Sequence, residues 1–160
     1  MSEVKTNVMR IVEQKKIKYK AHEYPHGKEA VDGVTVAAIT GTDPAKVYKT
    51  LVTRGASKNI YVFVIPVAEE LDLKKAAKSV GEKSIAMIHV NEITTLTGYV
   101  RGGCSPIGMK KQYPTSYHNE IEALETVMVS AGRIGYQIEI APSELIALTR
   151  GKTADLITEV

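Results

Sequence analysis

The chain has 160 residues, 44% hydrophobic and 24% charged, with 21 Lys and Arg against 18 Asp and Glu. That balance excludes a disordered chain, and no apolar run approaches the roughly 20 residues that cross a bilayer. A single cysteine forms no internal disulfide, and the charged start MSEVKTNVMRIVEQKK lacks a secretory apolar core, so one cytoplasmic domain over residues 1–160 is expected.

Ser2 and the segment after it predict a capped helix, with Val4, Val8, Ile11 and Val12 at helical spacing. IKYKAHEY alternates and predicts a strand from Ile17 to Tyr24. PHGKEAVDG is a loop broken by Pro25, Gly27 and Gly33, and VTVAAIT is a short helix ending near Gly41. Asp43-Pro44 starts a further turn. KVYKTLVTR and NIYVFVIPV are the clearest strands, joined by a hairpin-like loop at Gly55–Asn59. Asp72 caps a helix through LKKAAKSVG that Gly81 stops. SIAMIHV reads as a strand and NEITTLTG as a short helix ending at Gly98. ETVMVSA and YQIEI read as strands around the turn GRIG, and PSELIALTR as a last helix closed by Gly151. Interleaved helices and strands with at least two hairpins predict a mixed α/β (α+β) domain, not a doubly wound parallel sheet.

Two stretches stand out chemically. GYVRGGCSPIGMKK, Gly98 to Lys111, carries four glycines and three basic residues. Its GxxxxG spacings lack the lysine and hydroxyl of a nucleotide phosphate loop. Cys104 has no CxxC partner and no histidine at a telling spacing, so it reads as a small filler residue. His22 and His26 are four apart on strand and loop, and no Cys/His/Asp cluster has metal-ligand spacing, so no metal is expected. What stays open is a plain turn or a backbone cup at Gly102-Gly103, where absent side chains would let main-chain N–H groups reach a carboxylate, a phosphate or an oxyanion. The second stretch is VYKTLV. Alternation sets Val47, Lys49 and Leu51 on one face of a strand with apolar neighbours, where an ammonium either snorkels to solvent or serves a site. A net charge of +3 permits a nucleic-acid partner but lacks the dense clustering of a duplex-DNA binder. Lys74, Lys75 and Lys78 share a helix that could meet phosphate or simply face solvent.

KVYKTLV, LDLKKAAKSVGEKSIAM, TGYVRGGCSPIGMKKQYPT and VMVSAGRIGYQIEIAPSEL occur in that order between about His22 and the C-terminus. Together they closely resemble the bacterial Cys-tRNA(Pro) deacylase family, also called YbaK/EbsC. The resemblance implies a free-standing editing domain similar to the insertion domain of bacterial prolyl-tRNA synthetases, with a mixed, barrel-like β-sheet flanked by short helices and no cofactor. Its members hydrolyse the ester that joins a wrongly attached amino acid to the 3′ end of tRNA. An apolar pocket separates cysteine from proline only about 10–200-fold, which is why a second hydrolytic site is needed.

Carried over residue by residue, the resemblance implies Lys49 as the catalytic residue. It implies Tyr24, Thr50, Gly102, Gly103 and Ser130 as substrate-binding, with no enzyme nucleophile and Cys104 incidental. In the cysteine-specific branch it implies that the substrate's own thiol attacks its ester. The expected partner is the acceptor end of an aminoacyl-tRNA, with prolyl-tRNA synthetase as a candidate second partner and neither membrane nor DNA. The alternatives are a non-catalytic binding or regulatory module of the same fold, or a deacylase for Ala-tRNA(Pro) or another small amino acid. Two departures bear on which amino acid is removed: Asp32 stands where the family carries an aromatic, and Thr35-Val36 stand where it carries acidic residues. Tyr48 for phenylalanine in YKT is a milder change.

Overall fold

The computed structural model describes residues 5–24 and 33–159. Helix α1 is Asn7–Gln14. Thr6 caps it, its hydroxyl accepting from the Met9 amide at 3.2 Å, and Val8, Met9 and Val12 are buried. The expected start at Ser2, and Val4, lie outside the described residues. The next strand is shorter than its alternation suggests: the Ile17 amide is spent on the Val12 carbonyl at the end of α1, leaving β1 as Tyr19–Glu23. Most of the expected loop, with Pro25, His26, Gly27 and Asp32, also lies outside the described residues. Helix α2, Gly33–Thr40, ends at Gly41 in the left-handed region, as expected.

Strands β2, Tyr48–Gly55, and β3, Ile60–Pro66, form the predicted antiparallel hairpin. Asp72 caps α3, Leu73–Val80, through its carboxylate and the amides of Lys74 and Lys75, and Gly81 ends it with φ 73°. Past that point the structure departs from the sequence-based expectation. Only Ile85–Met87 of SIAMIHV is strand (β4), because the His89 amide turns back to the Glu92 carboxylate and starts a 3-10 turn. The helix that follows, α4, is Ile93–Thr97, stopped by Gly98. Strand β5, Thr115–His118, was not anticipated: its polar TSYH sequence shows no alternation, yet all four residues are buried. Strands β6, Val127–Ser130, and β7, Tyr136–Ile140, form the second hairpin. Helix α5, Pro142–Thr149, is closed by Arg150 in the left-handed region, one residue before the expected Gly151. Gly151 is needed for another reason, since a Cβ there would lie 2.4 Å from the Tyr117 ring. Strand β8, Lys152–Ala154, again unforeseen, pairs in parallel with β5.

The strands make two sheets, ordered β1-β7-β6 and β4-β2-β3-β5-β8. Pairing within the second is mixed: β3–β5 and β5–β8 are parallel, the rest antiparallel. The sheets meet where Val47 bridges Met128 in parallel. One edge of β2 is therefore divided, its start against β6 and its end, Thr53–Gly55, against β4. This gives the mixed, barrel-like architecture expected, flanked by short helices. Val62 to Ile65 are fully buried, sending Val62 and Val64 into the core between the sheets and Phe63 and Ile65 under α3. Each such side chain contributes about 1.5–3 kcal/mol on burial.

Candidate active site

Between the bridge at Val47 and the β4 ladder at Thr53, the edge of β2 away from β3 has no ladder partner among the described residues. Lys49 sits in this interval. It is half-buried, and its ammonium makes no ion pair or hydrogen bond among the described residues. Burial lowers its pKa from the usual lysine range, opposed by the carboxylates of Glu70 and Glu69. Lys46 and Lys75, by contrast, are tethered: Lys46 to Glu139 at 3.2 Å, and Lys75 to Asp155 at 3.0 Å and to the Ile157 carbonyl at 2.9 Å.

Strand alternation places Lys49 on the face of Val47, and Ser130 on the face of Met128. Val47 and Met128 pack together with Ala37 of α2 and Val67, so these are one continuous surface roofed in part by α2. From the bridge both strands run in the same direction, and Lys49 and Ser130 each lie two residues beyond it. Gln137 pairs with Ser130 across the β6–β7 hairpin and so shares that face. It is only 7% exposed, and its Oε1 is buried with no partner among the described residues. A buried amide oxygen without a donor costs free energy, which makes Gln137 a candidate to receive a donor from substrate.

The turn 131–135 gathers three of the expected residues. The Ser130 hydroxyl accepts from the Gly132 amide at 3.1 Å. Tyr24, 4% exposed, donates its amide to the Gly135 carbonyl at 2.9 Å. Gly103 lies so close that a Cβ on it would come within 3.1 Å of the Ile134 nitrogen and 3.3 Å of the Arg133 Cα. The main chain around Gly103 folds as a turn, its amide donating to the Val100 carbonyl at 3.0 Å with Gly102 at φ 85°. That amide is thus already used, whereas the exposed Gly102 has no acceptor for its own N–H among the described residues. Thr50 is set apart: it points to the opposite face of β2 from Lys49, beside Tyr48 and Val52, and its hydroxyl is buried without a partner among the described residues. Only its main chain is on offer to a ligand beside Lys49.

Among the described residues, nothing resembles an enzyme nucleophile with its base. Burial pushes the Cys104 thiol up to about 12, so it is no thiolate at neutral pH. His118 Nδ1 accepts from the Leu156 amide and Nε2 faces Glu120, while His22 pairs with Glu139 at 2.9 Å. No group of three or more metal-ligating side chains occurs among the described residues. Two open concavities, about 630 and 250 Å3, lie elsewhere; the larger is rimmed by Glu69, Glu120, Asp155 and Glu159, and neither is lined by any of the six expected residues. Size alone therefore does not single out the expected residues; what distinguishes their face is a half-buried ammonium and a buried amide oxygen, both without a partner among the described residues. Gln137 escaped the sequence analysis because alternation in YQIEI marks it as outward. The one signal available was the polar residue following a two-glycine turn.

The model of the aminoacyl-tRNA editing domain family matches residues 28–148. EbsC of Enterococcus faecalis, named as a proposed Cys-tRNA(Pro)/Cys-tRNA(Cys) deacylase, is 45% identical over 97% of this chain and 94% of its own. The uncharacterized protein YwhH of Bacillus subtilis is 27% identical over 68% of this chain and 69% of its own. Among solved structures, a proposed trans-editing enzyme for prolyl-tRNA synthetase superposes with a TM-score of 0.81, at 26% identity over 95% of both chains.

Proposed function

The chain belongs to the aminoacyl-tRNA editing domain family, and from that premise we propose that it deacylates mischarged tRNA in trans, with Cys-tRNA(Pro) as the preferred substrate. The observation that carries the placement of the site is Lys49: a half-buried ammonium without a partner among the described residues, on the same face as Ser130 and the unpaired Gln137 oxygen.

The bond to be cut joins the amino acid's carbonyl carbon to a ribose oxygen of the terminal adenosine. In this reading the substrate's cysteine sulfur attacks that carbonyl. A C–S bond forms, the C–O bond breaks, and the thiol proton ends on the departing ribose oxygen. Water then opens the cyclic thioester to free cysteine. No protein side chain enters the covalent path, in keeping with a site that has neither a thiolate nor a His-paired hydroxyl among the described residues. What the protein supplies is position and charge. Lys49 lies where negative charge on the tetrahedral carbon's oxygen, or the phosphate of the terminal nucleotide, would meet it. Gln137 Oε1 accepts from the substrate's α-ammonium. Tyr24 and Ser130 hold the turn 131–135 against which the aminoacyl end rests, and the Gly102 amide, without an acceptor among the described residues, donates to it. The mischarged tRNA would come from prolyl-tRNA synthetase, the partner to which the structural neighbour is assigned.

The test is release of amino acid from a panel of mischarged tRNAs. Cys-tRNA(Pro) is expected to be cleared well above buffer hydrolysis, with Lys49→Ala slower by about 100-fold or more. Preferential release from Ala-tRNA(Pro) would replace thiol attack with attack by water at the same site. Binding of Cys-tRNA(Pro) without release would make the chain a non-catalytic module.

A further inference from the structure

Building on the deacylase reading, we propose that the loop 98–111, together with Arg133 in the turn 131–135, grips the phosphates of the tRNA acceptor stem through Arg101, Lys110, Lys111 and Arg133. The first ground is charge segregation. No Asp or Glu occurs between Glu92 and Glu120, nor between Glu125 and Glu139, and these two stretches contain all four cations. All four are exposed, and none makes an ion pair among the described residues. In a chain with 18 carboxylates for 21 cations, an average surface would interleave the signs.

The second ground is contiguity. The 98–111 loop and the turn form one surface: Gly103 abuts Arg133 and Ile134, and the Tyr99 ring packs on both Gly108 and Gly132. Lys110 is fixed against α4, its amide donating to the Thr97 carbonyl at 3.0 Å and its stem lying over Gly98. Two of the cations rest over aromatic faces, Arg133 over Tyr136 at 5.5 Å and Lys111 over Tyr113 at 5.9 Å. Such seating leaves the outer side of each charge to solvent or phosphate and lessens the entropy lost when a phosphate binds.

The third ground is position. This surface shares its turn with Ser130 and Tyr24, which sets its cations beside the face that carries Lys49 and within reach of a stem whose 3′ end is held there. The helix α3 lysines are a poorer rival. Lys75 is held by Asp155 and the Ile157 carbonyl, and the ground beside it is acidic, with Glu69, Glu120, Asp155 and Glu159 around one concavity. Phosphate would be repelled there and drawn to the opposite charge of the glycine loop.

The experiment compares two substrates. One is full-length Cys-tRNA(Pro); the other is a cysteinylated CCA trinucleotide, which keeps the ester and lacks the stem. With Lys110→Glu/Lys111→Glu, KM for the full tRNA is expected to rise about tenfold or more at little change in kcat, while turnover of the trinucleotide stays at the wild-type level. The slope of log kcat/KM against log salt should become shallower by about 2, one unit for each lost phosphate contact. Arg133→Gln should act in the same direction with a smaller change. Equal losses on both substrates, or no loss on either, would overturn the proposal. If the wild-type protein cleaves neither substrate, the deacylase reading fails by itself. Binding of uncharged tRNA(Pro) by fluorescence anisotropy then decides: weaker binding by the double variant upholds the surface, and unchanged binding removes it, leaving an acidic protein partner as its occupant. Matching thermal unfolding of variant and wild type establishes that the fold is intact.

Discussion

At the scale of single residues, the chain accepts a stability cost at Lys49. Its pKa is lowered by burial, so the folded state disfavours the charged form. Below the folded pKa the amine is charged in both states and the penalty is present in full; it fades as pH rises through the folded value toward the unfolded one. Lys49→Met is therefore expected to raise Tm at pH 7 while cutting deacylation by about 100-fold or more, the opposite pairing to that of a structural lysine. Differential scanning calorimetry beside a release assay checks this, and a lower Tm would show that the amine has a stabilising partner. Lys49 was legible in the sequence because an ammonium between apolar neighbours on a strand is conspicuous. Thr50 was legible only as a neighbour of Lys49, and alternation sends its side chain into the other core. Gln137 was not legible, because an outward position on β7 reads as solvent-facing until Ala37 of α2 is seen against Met128 on the same surface.

At the scale of elements, hairpins and capped helices were readable and parallel pairings were not. β2–β3 and α3 carry their signals locally, in β-branched runs, an Asp cap and a stopping glycine. β5 gains its strand conformation from β3 and β8 from β5, partners distant in sequence, and TSYH and KTA show no period of two to betray it. The glycine stretch was recognisable as special, but its two central residues differ in a way only packing reveals. Gly102 needs its left-handed φ of 85°, and a side chain there costs about 1–2 kcal/mol in backbone strain. Gly103 has no such φ, yet a Cβ would press on the main chain of Ile134 and Arg133. Gly103→Ala should thus push the turn that Ser130 and Tyr24 hold, lowering kcat/KM more than Gly102→Ala does at a comparable loss of stability. Steady-state kinetics on the two variants, with urea unfolding of each, separates the effects. Greater damage from Gly102→Ala would place the contact to substrate at Gly102 itself.

At the scale of the whole molecule, Glu139 ties separate parts together. It accepts from the Thr126 hydroxyl and meets His22 of β1 at 2.9 Å and Lys46, just before β2, at 3.2 Å. These partners, the Thr126 hydroxyl foremost, hold its carboxyl down to about 2 from 4.5, against the opposing effect of burial. A carboxyl depressed in the folded state stabilises fully above its unfolded pKa and loses that contribution as pH falls through the folded one. Glu139→Gln should accordingly be less stable than wild type at pH 7, with the gap narrowing from about pH 4.5 and closing toward pH 2. Chemical unfolding of both proteins across that interval is the measurement, and a gap independent of pH would assign the loss to packing. The divided edge of β2 has a consequence of another kind, for how the gene can change. Because Val47 is pinned to Met128 and Thr53 to Met87, the length between them is fixed. A single codon gained or lost there would turn every side chain up to the next anchor through half a rotation, delivering Thr50 to the face that Lys49 now occupies and the ammonium to the interior. Point replacements along this strand are open to selection; insertions and deletions are not.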